Sequence, residues 1–283
     1  MLEEYAYQLD AITKHSLDEE EFLWLANTLK DIANNAGDQR LYIGYSLCAS
    51  KVAPNKLRFG TDTNKEVKDY LLVQEFMGSD IARLWLLRMV LLNDSRFETP
   101  VRKIIEVADR NELEVFLKGL VFLPEPNRFQ FAAVEALRTN ISTVFEAISK
   151  YNPYPAKYFS EQQWNQMYLK GAFMQLDLST IMDIDQRANK NLVRIISDYA
   201  RERWAASRSI DPYFWRPVSN FIEGNLVDDV RRLFNSDDLT ENGAAALVCY
   251  HSDLTIGDEL LKEYPTLKLQ VEQADITWEN LKN

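Results

Sequence analysis

Histidine and cysteine are scarce in this sequence, and their scarcity narrows the chemistry that the chain can perform. The 283 residues include two histidines and two cysteines. Because Cys48 and Cys249 lie far apart in the chain, the sequence holds no disulfide framework, and two unpaired cysteines fit a reducing compartment. A metal centre built on several histidines is excluded. We predict no metal, no cofactor and no set of catalytic residues.

The sequence also lacks the short motifs that mark common catalytic and nucleotide-binding sites. It contains no G-x-x-x-x-G-K-[ST] loop, no G-x-G-x-x-G, no G-x-S-x-G and no H-E-x-x-H. His251 and Asp253 form at most a partial dyad, and a surface position at the end of a helix is the simpler interpretation. Any catalysis would therefore rest on a carboxylate base beside an arginine clamp.

Long hydrophobic runs and a basic amino terminus are both missing. The longest apolar stretch, Leu84–Leu92, contains Arg88 and is much shorter than the roughly 20 residues needed to span a bilayer. Glu3 and Glu4 stand where an export signal would carry Lys or Arg. We therefore predict a cytoplasmic protein without a membrane span.

The chain has little net positive charge anywhere. It contains 32 Lys+Arg against 43 Asp+Glu, a formal net charge of −11. This charge is divided as −6 over residues 1–80, +3 over 81–220 and −8 over 221–283, and −6 + 3 − 8 = −11. The balance excludes a chain-wide basic surface for nucleic acid. The slightly basic middle favours a small anionic ligand.

Helical periodicity, in contrast, is abundant. Apolar residues recur at three- and four-residue spacing nearly throughout, and strict alternation is scarce. The spacing predicts helices over residues 2–13, 18–34, 38–50, 65–76, 79–92, 98–108, 112–123, 128–138, 141–149, 161–175, 186–207, 212–222, 225–234, 239–250 and 256–263. Helices of this length joined by short loops predict an all-α fold of stacked antiparallel pairs, a HEAT-like α-solenoid. A globular α-bundle is the alternative, because no repeat signature has a fixed period.

Segments that could divide the chain are also absent. No linker is rich enough in Gly, Ser or Pro to separate two domains, so we predict a single all-α domain over 1–283. Within it we distinguish N-terminal helices and a loop (1–64), a core (65–235) and C-terminal helices (236–283).

Polar side chains on apolar helix faces are the most informative feature of the middle region. In the helix predicted over 186–207, Asn189, Glu202 and Arg203 lie three or four residues from members of the apolar stripe. Inside a core, such charges need partners. In the helix predicted over 161–175, Asn165 likewise shares the apolar face.

Two further helices carry charges among apolar residues. The helix predicted over 128–138 is apolar nearly all round, which predicts that it is buried and that Glu135 and Arg138 are interior charges able to pair. In the helix predicted over 79–92, Arg83 and Arg88 lie about 140° apart, so only one of them is expected to point at the core.

These polar residues allow two interpretations. One is a structural network that ties helices together. The other is a polar pocket with aromatic walls, in the style of small-molecule sites. The candidate ligand-binding residues of that pocket are Glu135, Arg138, Asn140, Tyr154, Trp164, Asn165, Asn189, Tyr199, Glu202 and Arg203.

Six short segments in the middle of the chain resemble a known family. They are Glu135–Asn140 (EALRTN), Val144–Ile148 (VFEAI), Asn152–Pro155 (NPYP), Trp164–Met167 (WNQM), Asp185–Asn189 (DQRAN) and Asp198–Trp204 (DYARERW). In this order they resemble the EboA family of bacterial metabolite traffic proteins. Looser similarity extends over about residues 80–235, and the two ends of the chain contribute little to it.

The resemblance implies an all-α, HEAT-like protein encoded beside a UbiA-like prenyltransferase and homologues of sugar and phosphate enzymes. Such clusters are associated with moving a secondary-metabolite precursor out of the cytoplasm, including the scytonemin precursor of cyanobacteria. The resemblance brings no established catalytic residues with it.

The sequence therefore leads to one favoured function and two alternatives. The favoured function is a non-enzymatic binding or adaptor protein that holds a small anionic or prenylated metabolite in an interhelical pocket, with other proteins of the same cluster as further partners. One alternative is a lyase or isomerase with Glu135 or Glu202 as base. The other is an α-solenoid scaffold for proteins, without a ligand.

Overall fold

A computed structural model describes residues 2–35 and 37–281, and this part of the chain is helical. The described residues form eighteen α-helices and six 3-10 helices, and their one β-type pairing is an isolated antiparallel bridge between Lys56 and Met77. The prediction of an all-α fold is confirmed. Contacts along the chain divide it into two compact units, Met1–Phe159 (unit 1) and Ser160–Asn283 (unit 2).

Unit 1 is organised around one apolar helix. The α-helices of its described residues are α1 (Leu9–Ser16), α2 (Glu19–Asn34), α3 (Gln39–Lys51), α4 (Lys65–Val73), α5 (Gly78–Asn93), α6 (Glu98–Arg102), α7 (Ile104–Val107), α8 (Arg110–Gly119), α9 (Gln130–Ala136), α10 (Ser142–Ser149) and α11 (Tyr154–Tyr158). Helix α5 is contacted by α1, α2, α3 and α8. Every residue from Ile81 to Leu87 is buried, which explains why α5 is apolar on nearly all sides.

The start of α5 is fixed by a close approach of the preceding loop. The Gly78 N–H donates to the Asn55 carbonyl at 2.8 Å, and Asp80 accepts a hydrogen bond from the Met77 N–H at 3.0 Å. A Cβ on Gly78 would lie 2.6 Å from the Ala53 carbonyl oxygen, so only glycine fits there. The loop after α3 thus holds the first turn of the central helix.

Unit 2 also has a buried central helix. Its α-helices, within the described residues, are α12 (Glu161–Phe173), α13 (Ile184–Arg187), α14 (Lys190–Ala205), α15 (Asn225–Phe234), α16 (Leu239–Tyr250), α17 (Thr255–Lys262) and α18 (Pro265–Glu272). Helix α16 is buried from Gly243 to Cys249 and is contacted by α15, α17, α18 and the 3-10 helix Pro212–Phe221. At Gly243 a Cβ would lie 2.7 Å from Leu281 Cδ1, so this neighbour packs close to the backbone of α16.

Several predicted helices differ from the observed ones in type or in their ends. Helices α15 and α16 have the predicted bounds. The helix predicted over 212–222 is a 3-10 helix, and it contains Pro217, which has no N–H to donate. The helix predicted over 186–207 is two helices, because Asn189 between them is extended, with φ −154° and ψ 162°. The short helices α11 and α18 are absent from the sequence prediction.

No helix in the described ranges is both long enough and apolar enough to cross a membrane. The stacking of helix pairs as in a HEAT-like solenoid, and the single domain over 1–283, remain predictions.

Candidate functional site

A cavity of about 320 Å³ in unit 2 contains two of the ten candidate residues. Tyr199 and Arg203 line it from α14, and the other lining residues are Ala172, Gln175, Leu176, Ser209, Ile210, Asp211 and Phe214. Because Tyr199 and Arg203 are four positions apart, they lie on one face of the helix. The Arg203 guanidinium carbon is 6.0 Å from the centre of the Tyr199 ring. The volume is within the range of small-molecule sites.

Stacked aromatic rings support one wall of this cavity. The buried ring of Phe214 is stacked on Tyr168, with 5.8 Å between ring centres, and Tyr168 is stacked on Trp164 at 5.4 Å. The ring of Tyr199 meets Phe214 edge-on at 5.4 Å. Burial raises the pKa of Tyr168 well above its usual value, so this hydroxyl stays neutral. The wall is therefore apolar and tightly packed, and its three stacked rings are buried.

Two charged side chains also line the cavity. Arg203 donates from Nε and Nη2 to the Ser209 carbonyl, at 3.2 and 2.7 Å. Among the described residues, neither Arg203 Nη1 nor the Tyr199 hydroxyl has a hydrogen-bond partner. Asp211 Oδ1 accepts from the Tyr213 N–H at 2.9 Å. The cavity thus combines one cation with an uncommitted donor, one carboxylate and an aromatic wall.

The two candidate asparagines of unit 2 form a pair at the start of α14. Their side-chain amides bond to each other, with Asn165 Nδ2 donating to Asn189 Oδ1 at 3.1 Å and Asn189 Nδ2 donating to Asn165 Oδ1 at 2.9 Å. Asn189 Oδ1 also accepts from the Leu192 N–H and so caps α14. Asn165 is buried, as its place on the apolar face predicts. The pair fixes where α14 begins.

Trp164 and Glu202 have opposite surroundings. Trp164 is fully buried beneath the aromatic wall, and its Nε1 has no hydrogen-bond partner in the described part of the chain. Glu202 is exposed, whereas the helical pattern predicted an interior charge. It lies in the last turn of α14, where the helix face that includes Ile196 and Ala200 is the buried one.

An exposed arginine of α14 pairs with a buried carboxylate. The Arg201 side chain is 42% exposed, and its Nε and Nη2 each lie 2.9 Å from the carboxylate of Asp229. Asp229 is buried and accepts a hydrogen bond from Ser197 as well. The arginine reaches from a partly exposed position to a buried carboxylate, which periodicity along one helix cannot reveal.

The four candidate residues of unit 1 occupy different surroundings. Glu135 and Arg138 form the expected pair at 2.9 Å, but the Arg138 side chain is 75% exposed, so the pair is at the surface and not in the core. The reason is that the helix is not buried all round, since Phe131 is 67% exposed. Asn140 is exposed. Tyr154 is fully buried and donates from its hydroxyl to the Pro126 carbonyl at 2.7 Å.

Sequence reasoning missed a second cavity in unit 2. It has a volume of about 290 Å³, and Asp185, Arg216 and His251 are among its lining residues. Arg216 donates to both carboxylate oxygens of Asp185, at 2.9 and 2.7 Å, and this pairing is the first cause of its raised pKa. Arg216 also donates to the Tyr213 hydroxyl. Asp185 belongs to the DQRAN segment, and His251 was noted in the sequence only as part of a partial dyad with Asp253.

The chain is an all-α protein whose cavities combine arginine, carboxylate and aromatic side chains, and no group of three or more His, Cys, Asp or Glu in the described ranges could hold a metal ion.

The model of a protein family described as "Metabolite traffic protein EboA" matches residues 6–219, three quarters of the chain. The chain therefore belongs to the EboA family. The match begins much nearer the amino terminus than the six segments of the resemblance, and it contains every lining residue of the Tyr199–Arg203 cavity. Comparison with curated proteins and with solved structures gave no match.

Proposed function

We propose that this protein is a non-enzymatic metabolite-binding protein whose ligand occupies the Tyr199–Arg203 cavity of unit 2. The observation that carries the proposal is an arginine nitrogen without a protein partner beside a packed aromatic wall, in a cavity of suitable size. Membership of a metabolite traffic family supports a metabolite-associated role.

The lining chemistry defines the ligand class. Arg203 Nη1 and the Tyr199 hydroxyl are placed to hold an anionic group, because charge-assisted hydrogen bonds to guanidinium are among the strong ones. The partly exposed ring of Tyr199, supported by Phe214, would take the flat apolar body of the ligand. Asp211 suits a ring N–H or O–H donor on the same molecule. We therefore expect an aromatic acid with such a donor, and an anionic prenylated compound as the second choice.

The other candidate residues have different parts in this proposal. Asn165, Asn189 and Trp164 support the cavity by fixing the start of α14 and backing the aromatic wall. The proposal does not use Glu202 or the unit 1 residues Glu135, Arg138, Asn140 and Tyr154.

The place of the protein in the cell is a further part of the proposal. We propose that it works in the cytoplasm and passes its ligand to other proteins of the same gene cluster. Both cysteines are free and buried, as in a reducing compartment.

The test is a thermal-shift screen of the full chain against indole-3-acetate, 4-hydroxybenzoate and geranyl diphosphate. A bound ligand stabilises the folded state by mass action. We expect one of these probes to raise the melting temperature of the wild type and of Arg194→Met, a matched change at an exposed position of the same helix. The same probe should leave Arg203→Met unshifted.

The alternatives predict different outcomes. Chemical conversion of a probe during the incubation, detected by mass spectrometry, would favour the lyase or isomerase. The absence of a shift with every probe would contradict the proposed cavity and favour the scaffold.

A further inference from the structure

A cavity in unit 1 is lined by charged groups whose hydrogen-bonding capacity the described residues do not fill. It has a volume of about 340 Å³, and its lining includes Asp80 and Arg83 from α5 and Glu114 and Lys118 from α8. A neighbouring cavity of about 330 Å³ shares Gln74, Glu75, Glu114 and Lys118 with it, so the two form one depression.

Arg83 is a buried cation with two uncommitted nitrogens. Its side chain is 5% exposed, and its one hydrogen bond within the described ranges runs from Nε to the Tyr45 carbonyl at 3.2 Å. Nη1 is 3.9 Å from Asp80 Oδ1 and Nη2 is 3.8 Å from Glu112 Oε1. Both distances are too long for a hydrogen bond. The two carboxylates therefore balance the charge of Arg83, while its Nη1 and Nη2 remain available as hydrogen-bond donors to a ligand.

Glu114 supplies a hydrogen-bond acceptor on the same cavity. Its Oε1 is buried, and no group in the described ranges donates a hydrogen bond to it. The nearest cation is Arg110, whose Nε lies 3.6 Å away on a side chain that is 58% exposed. The Glu114 side chain as a whole is 22% exposed and lines the cavity, so its carboxylate can accept a hydrogen bond from a ligand there.

The remaining polar groups of the cavity are already engaged. Lys118 Nζ donates to the Gln74 carbonyl at 3.1 Å, and Gln74 Nε2 donates to the Lys150 carbonyl at 2.8 Å. Asp80 accepts from the Met77 N–H, and burial raises its pKa, an effect that the charges of Arg83 and Lys118 oppose. The unmatched groups are thus donors on Arg83 and an acceptor on Glu114.

The mixed charge of the lining excludes simple ions of either sign. An anion would meet Glu75, Asp80 and Glu114, and a cation would meet Arg83 and Lys118. A ligand that carries both charges satisfies both sets. Phe76, Met77 and Val115 supply an apolar surface beside them.

We propose that this cavity binds a zwitterionic metabolite of the α-amino acid class, with its carboxylate on the Arg83 guanidinium and its ammonium group on the Glu114 carboxylate. The apolar side chain of the ligand lies against Phe76 and Val115. This site is separate from the Tyr199–Arg203 cavity and takes a different class of ligand.

The first experiment is calorimetric titration of the full chain with L-leucine, L-methionine and L-phenylalanine. For each amino acid that binds, the desamino acid and the decarboxylated amine of the same side chain are titrated as well. We expect each analogue to bind at least about tenfold more weakly, because it loses the charge-assisted hydrogen bonds of the missing group. Equal binding of an analogue overturns the proposal, and so does no binding of all three amino acids, which would leave ordered water as the occupant.

Substitutions in the cavity lining test whether the amino acid binds at this site. Glu114→Gln should weaken amino-acid binding at least about tenfold, whereas the exposed Glu259→Gln should bind like the wild type. Unchanged binding by Glu114→Gln overturns the proposal. Arg83→Lys is the second variant, expected to weaken binding because lysine offers no pair of parallel donors. If Arg83→Lys fails to fold, the result with Glu114→Gln alone decides whether the amino acid binds in this cavity.

The Arg203→Met variant distinguishes this site from the function proposed above. It should bind amino acids as the wild type does, and loss of amino-acid binding in Arg203→Met would place the ligand in unit 2 and overturn the unit 1 site.

Discussion

Asn189 shows how one polar side chain can serve the structure and the site together. Its amide caps α14 through the Leu192 N–H and pairs with the buried Asn165. Asn189→Ala removes the cap and leaves a buried amide unsatisfied. We expect the free energy of unfolding to fall by about 1–3 kcal/mol, measured by urea denaturation followed by circular dichroism.

Asn140→Ala is the matched control for this change. Asn140 is exposed, and no hydrogen bond of its side chain is seen in the described ranges, so the variant should stay within about 0.5 kcal/mol of the wild type. Equal stability of the two variants would show that the asparagine pair does not hold α14.

At the scale of elements, the close contact between Gly78 and the loop after α3 predicts that a larger residue at position 78 destabilises the fold. A Cβ at Gly78 would lie 2.6 Å from the Ala53 carbonyl oxygen, a backbone atom that cannot rotate away. Gly78→Ala should therefore lower the free energy of unfolding by about 1–3 kcal/mol. In contrast, a Cβ at Gly37 meets no atom within 4 Å, so Gly37→Ala should be neutral in the same denaturation experiment. A neutral Gly78→Ala would contradict the packing described for α5.

The bounds of helices were easier to predict from the sequence than the burial of individual side chains. The bounds of α15 and α16 follow from their apolar spacing, because burial against neighbours repeats with the helical period. Periodicity gives the direction of a side chain but not how far its neighbours extend over it. Glu202 is exposed because it lies away from the buried face of α14, and Arg138 is exposed because α9 ends before it, at Ala136.

The lining of the candidate cavity was harder to predict than the helices, because it is formed by segments on either side of a turn. Tyr199 and Arg203 were selected from one helix, but the cavity also needs Ser209, Asp211 and Phe214, which follow a turn that the pattern does not specify. The unit 1 cavity was not predicted. The helical pattern placed only one of Arg83 and Arg88 toward the core, and Arg83 is the buried one.

At the scale of the whole molecule, buried tyrosines control stability at alkaline pH. Burial raises the pKa of Tyr45, Tyr70, Tyr154 and Tyr168 above the usual value of about 10. A raised folded-state pKa contributes stability that is complete below the unfolded value and is lost as the pH rises toward the folded one. The free energy of unfolding should therefore fall as the pH rises above about 10.

Phenolate absorbance during an alkaline titration checks this prediction. The chain has 13 tyrosines. The exposed ones should ionise while circular dichroism still reports folded protein, whereas Tyr45, Tyr70, Tyr154 and Tyr168 should ionise only with unfolding. Ionisation of all 13 in the folded state would contradict the packing of both units.

The central claim is that the Tyr199–Arg203 cavity binds an aromatic acid, and calorimetric titration with indole-3-acetate tests it most directly. We predict saturable binding to the wild type and to Arg194→Met, and a Kd at least about tenfold weaker for a folded Arg203→Met, which has lost a charge-assisted hydrogen bond. The same Kd for Arg203→Met as for the wild type, or no binding to the wild type, would contradict the account.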